Sequence, residues 1–288
     1  MRFGRRALLR LLGAGVLAVA CGQGEPQQGA SAPVASGPIR IAYGSAARQF
    51  GDLRTPAGRG PYPVVIVIHG GYWLAASGLT YMDSLADALT KEGVATWNVE
   101  YRALGNDGGG WPGTFLDVGA AADALRGMAA ERRLDLGHVT ALGHSAGGQL
   151  ALWLAGRARI ASGPLHADDP LRIARAISIA GVADLRAFGA AKVDVIAQLL
   201  GGGPDAVPER YAAASPIELL PLGVPQVLLH GTADTVVPFA MSERYVEIAK
   251  VRGDDATLIA LPGIDHRQPV DPASAAWPEV RAAVGYSR

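Results

Sequence analysis

Gly143-His144-Ser145-Ala146-Gly147 sets a serine between two glycines at G-x-S-x-G spacing. It directly follows the apolar run 139–142 and opens the Ala/Leu-rich stretch 146–157. A strand that turns sharply into a helix holds a serine hydroxyl clear of the sheet, and glycines flank it because the turn leaves no room for larger side chains. The helix N-terminus behind it favours developing negative charge. Such a serine can attack an acyl carbon. A second glycine-rich turn, His69-Gly70-Gly71-Tyr72-Trp73, follows the run 64–68. Backbone N–H groups of Gly71 and Tyr72, with Gly70 behind them, can join the N–H of Ala146 around an oxyanion, each donor contributing about 3–4 kcal/mol. His69 is expected to shape this loop by hydrogen bonding rather than to act as a base.

A serine hydroxyl needs a base, and the base needs an orienting acid. Beyond Ser145 the histidines are His166, His230 and His266. His230 ends an apolar run and is expected to be buried scaffolding. His166 and His138 lie in polar surroundings and are expected to be solvated. His144 stands on the wrong side of the serine to act as base. Asp234 follows His230 in a Gly-Thr-Ala-Asp loop, while Asp184, Asp265 and Asp271 are its competitors as the acid.

The elements that must position these groups alternate. Apolar, β-rich runs lie at 64–68, 94–99, 139–142, 176–179, 226–229 and 257–260. Val64-Val65-Ile66-Val67-Ile68 has no polar alternation, as expected of a strand buried on both faces. Helical stretches are expected at 79–91, 116–132, 146–157, 240–252 and 273–284. Strand–helix alternation of this kind predicts an α/β fold with a mostly parallel central sheet and helices on both faces. Residues 159–175 and 181–222 carry several Pro and Gly and are expected to be irregular, so that a small insertion or lid at about 159–222 builds the pocket. Trp73, His144, Tyr101 and Trp111 are expected to line it, with 100–102 and 110–115 as its wall.

Of 288 residues, 49% are hydrophobic and 18% charged, which excludes disorder for most of the chain. Lys+Arg and Asp+Glu both number 26. Four basic residues (Arg2, Arg5, Arg6, Arg10) lie in the first ten positions; without them 22 basic residues face 26 acidic ones, about −4. A domain of that sign is a poor nucleic-acid binder. No Cys/His or carboxylate cluster has metal spacing and no G-x-G-x-x-G follows the first strand, so neither metal nor nucleotide cofactor is expected.

Residues 1–21 follow the grammar of an export signal: arginines, an apolar stretch from Leu11 to Ala20, then small residues before Cys21, the only cysteine. Arg5-Arg6 resembles a twin-arginine signal, and Leu17-Ala18-Val19-Ala20-Cys21-Gly22 resembles a bacterial lipoprotein box, which implies a lipid on Cys21. Residues 22–37 are a Gly/Gln/Pro/Ala/Ser linker, reaching about 20–25 Å. A catalytic domain is expected over 38–288, anchored to a bacterial envelope membrane through Cys21, or otherwise periplasmic or secreted.

Taken with the strand–turn–helix context, GHSAGG and HGGYW resemble the α/β-hydrolase superfamily over roughly 39–286. Within it they are similar to the feruloyl/acetyl-xylan esterase-like, kynurenine formamidase and hormone-sensitive-lipase-like groups. Tyr72 departs from the HGGG of the last. The superfamily's chain order of Ser, Asp, His makes Asp234 the acid and His266 the base. The resemblance implies a serine hydrolase of carboxylesterase type, without cofactor or obligate protein partner, acting on a small-molecule ester. An arylformamidase-like amidase is the alternative on the same triad; a peptidase or a non-catalytic surface binding protein fits less well.

Overall fold

The computed structural model of the chain describes residues 37–191 and 193–285. The expected signal, Cys21 and nearly all of the linker lie outside these residues. The elements in order are β1 (Ile39–Ala42), β2 (Phe50–Arg54), β3 (Tyr62–Ile68), α1 (Asp83–Lys91), β4 (Ala95–Val99), α2 (Gly113–Asp123), α3 (Leu125–Arg132), β5 (Leu134–His144) and α4 (Ala146–Gly156). They continue with β6 (Arg175–Ile179), α5 (Leu185–Ala191), α6 (Val193–Leu200), α7 (Pro208–Ala214), α8 (Pro216–Leu219), β7 (Gln226–Gly231), α9 (Phe239–Val251), β8 (Ala256–Leu261) and α10 (Trp277–Val284).

One sheet holds the strands in the order β1-β2-β4-β3-β5-β6-β7-β8. The six strands expected from the apolar runs are β3 to β8, and they run parallel. Side chains alternate across each strand, because successive Cβ atoms point to opposite faces. Val64, Ile66 and Ile68 enter one core cluster with α2, α3, α4 and α9, whereas Val65 and Val67 enter the other with α1 and α10. The mostly parallel sheet covered on both faces is therefore as expected.

The β1–β2 hairpin at the edge was not read from the sequence. It is antiparallel, and its register sets Arg40 opposite Asp52, which the guanidinium holds at 2.9 and 3.0 Å. Charges inside both segments hide them from a hydrophobicity pattern. Helix boundaries also differ. A 3-10 turn, Leu79–Met82, precedes α1, and the stretch 116–132 breaks at Ala124 into α2 and α3. The last helix begins at Trp277 rather than 273, with a proline in its first turn, where a missing N–H costs nothing.

The 159–222 expectation needs correction. Beside the expected strand β6, the part 181–222 holds four short helices, α5 to α8, so it is not simply irregular. Pro208 and Pro216 start α7 and α8, where a missing N–H costs no helical bond.

Candidate active site

Parallel strands place their C-terminal ends, and the loops after them, along one edge of the sheet. The loops after β3, β5, β7 and β8 carry the candidate groups. Between β5 and α4 the backbone of Ser145 is forced to φ 55°, ψ −118°. Its N–H is held by the carbonyl of Ile179 at 2.8 Å. The turn is possible because Gly147 lies against β3: a Cβ there would collide with the carbonyl oxygen of Ile68. Helix α4 is apolar on nearly every side and almost wholly buried, which fixes the turn from below.

In the loops after β7 and β8, Asp234 and His266 meet. His266 Nδ1 donates to Asp234 Oδ2 at 2.7 Å, leaving Nε2 free of that bond. Asp234 Oδ1 accepts the N–H groups of Val236 at 2.8 Å and Val237 at 3.0 Å. Burial opposes the charge on Asp234, but hydrogen bonds from His230, His266 and these two amides outweigh it and hold the carboxyl well below the usual carboxylate range.

The His230 contribution was not foreseen. As expected, His230 is fully buried, yet its Nε2 lies 3.2 Å from Asp234 Oδ2 as well as 3.0 Å from the carbonyl of Val237. Both neighbours only accept, so Nε2 carries the hydrogen and Nδ1 takes the Ser242 hydroxyl at 2.7 Å. The i, i+4 spacing of His230 and Asp234 is visible in the sequence, but across a strand-to-loop transition it predicts no contact.

The competing acids are engaged elsewhere. Asp184 accepts the N–H of Ala187 and lines a separate hollow with Arg186, Arg244 and Arg252. Asp265 caps the backbone of Arg267 and Gln268, and Asp271 that of Ala273. His166 and His138 are exposed and pair with Asp168 and Asp135.

The loop after β3 turns through positive φ at Gly71 (114°), Tyr72 (55°) and Trp73 (55°). Gly70 packs against the serine: a Cβ there would sit 2.7 Å from the His144 carbonyl oxygen and 3.1 Å from Ser145 Cβ. His69 shapes the loop. Its Nδ1 donates to the Gly70 carbonyl at 2.8 Å, its Nε2 meets Glu100 Oε1 at 3.1 Å, and its ring stacks on Tyr101 at 4.3 Å. Because the amide is planar and trans, fixing the Gly70 C=O turns the Gly71 N–H the opposite way. Among the described residues nothing accepts from the N–H groups of Gly71, Tyr72 or Ala146. Glu100 stays ionised despite burial, held below its ordinary range by His69 and by the N–H groups of Tyr101 and Leu79.

Ser145 and His266 line one cavity of about 150 Å³ with Gly70, Gly71, Tyr72 and His144. Four further lining residues, Ser77, Tyr81, Val236 and Arg267, were missed, although the last two lie within two positions of Asp234 and His266. Three expected pocket residues are not there. Trp73 is buried and donates its indole N–H to Gln149, and Tyr101 is buried under His69 with its hydroxyl on the His69 carbonyl. Trp111 lines a different hollow, with Arg159 to Leu165 and α7. All three are apolar enough to be drawn into packing. Among the described residues, none of 159–222 lines the cavity; that span meets its lining from behind, where the Ile179 carbonyl and the Val182 N–H bond the Ser145 backbone and the Phe188 ring of α5 lies 6.4 Å from that of Tyr72.

His144 is also buried. Its Nε2 donates to the His266 carbonyl at 2.7 Å and its Nδ1 accepts from Tyr81 at 3.1 Å. Burial, followed by the nearby His266, pushes it down to about 3, so the ring is neutral.

With the site in view, the BD-FAE family model matches residues 52–248. The chain belongs to the BD-FAE family. That bears out the esterase-group resemblance and the α/β-hydrolase fold. This BD-FAE chain is 26% identical over 247 residues to esterase LipC of Mycobacterium tuberculosis, a match covering 79% of this chain and 59% of that relative. It therefore spans about 59% of the relative's length. Its fold is similar to that of a truncated carbohydrate esterase from gut microbiota, with TM-score 0.76, 22% identity, and 88% and 98% of the two chains covered. Esterase B of Lactobacillus rhamnosis gives 0.74, with 21% identity and coverage of 86% and 84%. Butyrate-bound esterase 2 of Thermogutta terrifontis gives 0.69, with 21% identity and coverage of 86% and 91%.

Proposed function

We propose that the protein hydrolyses carboxylic esters of small molecules through an acyl-enzyme on Ser145. One observation carries this reading: an acid–imidazole pair, Asp234 and His266, at 2.7 Å, beside the same cavity as a serine held on a strained strand-to-helix turn. The names of the relatives, esterases throughout, point the same way.

Ser145 Oγ attacks the acyl carbon while His266 Nε2 takes its proton. The carbonyl π pair moves onto oxygen, where the N–H groups of Gly71, Tyr72 and Ala146 receive it, with Gly70 shaping the approach. Collapse breaks the bond to the leaving oxygen, and His266 returns the proton to it as alcohol. Water, deprotonated by His266, then releases the acid and restores Ser145. Asp234, ionised throughout, keeps the hydrogen on Nδ1 and steadies the imidazolium. The Ser145 hydroxyl bonds to no described residue; such contacts commonly tighten only with substrate bound.

A cavity of about 150 Å³ suits a short acyl group. The test is turnover of p-nitrophenyl acetate, butyrate and octanoate by residues 38–288. Acetate is expected to lead, and Ser145→Ala to lose about 10³-fold or more in kcat together with fluorophosphonate labelling. Turnover that survives in Ser145→Ala would overturn the assignment.

Arg5-Arg6 and Cys21 further support export and lipid anchoring, so that the substrate is met outside the cytoplasm. Palmitate labelling of the full chain, lost in Cys21→Ser, is the expected result; labelling that persists would overturn it.

A further inference from the structure

The cavity has one charged wall that the mechanism does not use. No carboxylate lines it among the described residues, and Arg267 is its one Lys or Arg. Arg267 is exposed and ion-pairs with no described carboxylate. Its guanidinium instead rests 5.7 Å above the Tyr81 ring, and that ring is tied to His144. Such a cation–π contact, worth about 0.5–1 kcal/mol at an exposed site, biases the guanidinium toward the cavity without neutralising it.

The groups around it leave that charge standing. His144 is neutral, and burial raises Tyr81 so that its phenol stays protonated, with Arg267 opposing the rise. Asp265 is nearby and raises Tyr81 as Arg267 lowers it, but its Oδ1 is turned to the backbone N–H groups of Arg267 and Gln268 and no ion pair joins it to the guanidinium. Asp234 is shielded behind His266 and spends both oxygens on hydrogen bonds. An unneutralised, pre-positioned guanidinium in a small cavity is a carboxylate or phosphate receptor.

The side of the substrate follows from the chain. Arg267 is the residue after His266, and His266 must reach the leaving oxygen to protonate it. The alcohol half of the ester therefore lies along the loop that carries Arg267. We propose that Arg267 anchors an anionic group, a carboxylate in the simplest case, on the alcohol portion of the substrate. The inference rests on the ester-hydrolase reading above and narrows its substrate class.

Two aryl acetates test it: 4-acetoxybenzoate, an anion at neutral pH, and its neutral methyl ester. They share the acyl group and differ in charge on the leaving phenol. The readout is the ratio of their kcat/KM values, in which a general loss of activity in a variant cancels. Arg267→Ala is expected to lower the anion-to-neutral ratio about tenfold relative to wild type. Arg267→Glu should lower it further, and Arg267→Lys should retain part of it. About 0.5 M NaCl should shrink the wild-type ratio and leave that of Arg267→Ala unmoved. Equal ratios in wild type and Arg267→Ala would overturn the anion anchor while leaving the hydrolase reading intact. Failure of the wild type to turn over either ester would overturn the hydrolase reading, and the anchor with it.

Discussion

The ring of His144, the residue before Ser145, donates its Nε2 hydrogen to the main-chain carbonyl of His266, 2.7 Å away. One side chain thus ties the turn that carries Ser145 to the loop that carries His266, 122 residues after His144. Its other nitrogen is held by Tyr81, so the ring has both partners and one tautomer. In the proposed mechanism, this makes His144 a positioning residue. His144→Asn is expected to lower kcat about tenfold and change KM little, with Tyr81→Phe milder. The low-field proton resonance of His266 Nδ1–H should move in His144→Asn; a purely structural role would leave it in place.

The same ring links stability to pH. Folded, His144 takes up its proton only near pH 3; unfolded, it does so near 6.5. Between those values the unfolded chain binds the extra proton, so stability falls as pH falls, with a slope up to about 1.4 kcal/mol per pH unit. Urea midpoints measured from pH 4.5 to 7.5 (about one unit apart) should show a shallower fall in His144→Asn than in wild type. Asp234 adds to the acid limb: its carboxyl is depressed in the folded state, so its contribution is present above the unfolded value of about 4 and is lost below it.

His230 supports Asp234 from behind. His230→Phe keeps the ring but leaves Ser242, the Val237 carbonyl and one Asp234 contact without their partner. A loss of about 2–3 kcal/mol in stability is expected, with kcat down about tenfold. Activity should stay well above that of Asp234→Asn; equal losses in the two variants would contradict a supporting role.

Gly147 and Gly127 make a pair. At Gly147 an added methyl meets main-chain atoms of β3 that cannot move aside, so Gly147→Ala should lower Tm by about 10 °C. Gly127, exposed on α3, has nothing within 4 Å of an added Cβ, and Gly127→Ala should stabilise by about 0.5–1 kcal/mol. Differential scanning calorimetry of both variants checks the contrast.

The parts of the site that were legible are those written locally. The serine pentapeptide stands between an apolar run and an Ala/Leu stretch, and the HGG turn follows a β-branched run; both carry their structural context beside them. Asp234 and His266 were assigned from the superfamily's chain order rather than from any local signal. The pocket was not legible. Trp73, Tyr101 and Trp111 were expected there from their place in the segments that follow strands, but hydrogen bonds to Gln149 and His69 and packing on Phe115 hold them in the scaffold. Ser77, Tyr81 and Arg267 carry no pattern that marks them.

Sequence alone determined the α/β class, the six parallel strands and the serine turn, because periodicity and turn chemistry act over a few residues. Tertiary structure decided the strand order, the β1–β2 edge, the His230–Asp234–His266 line and the charge at the cavity. Those depend on which distant loops the parallel sheet gathers at its C-terminal edge. Distances across that edge are set by packing of the whole core and leave no mark on neighbours in the chain.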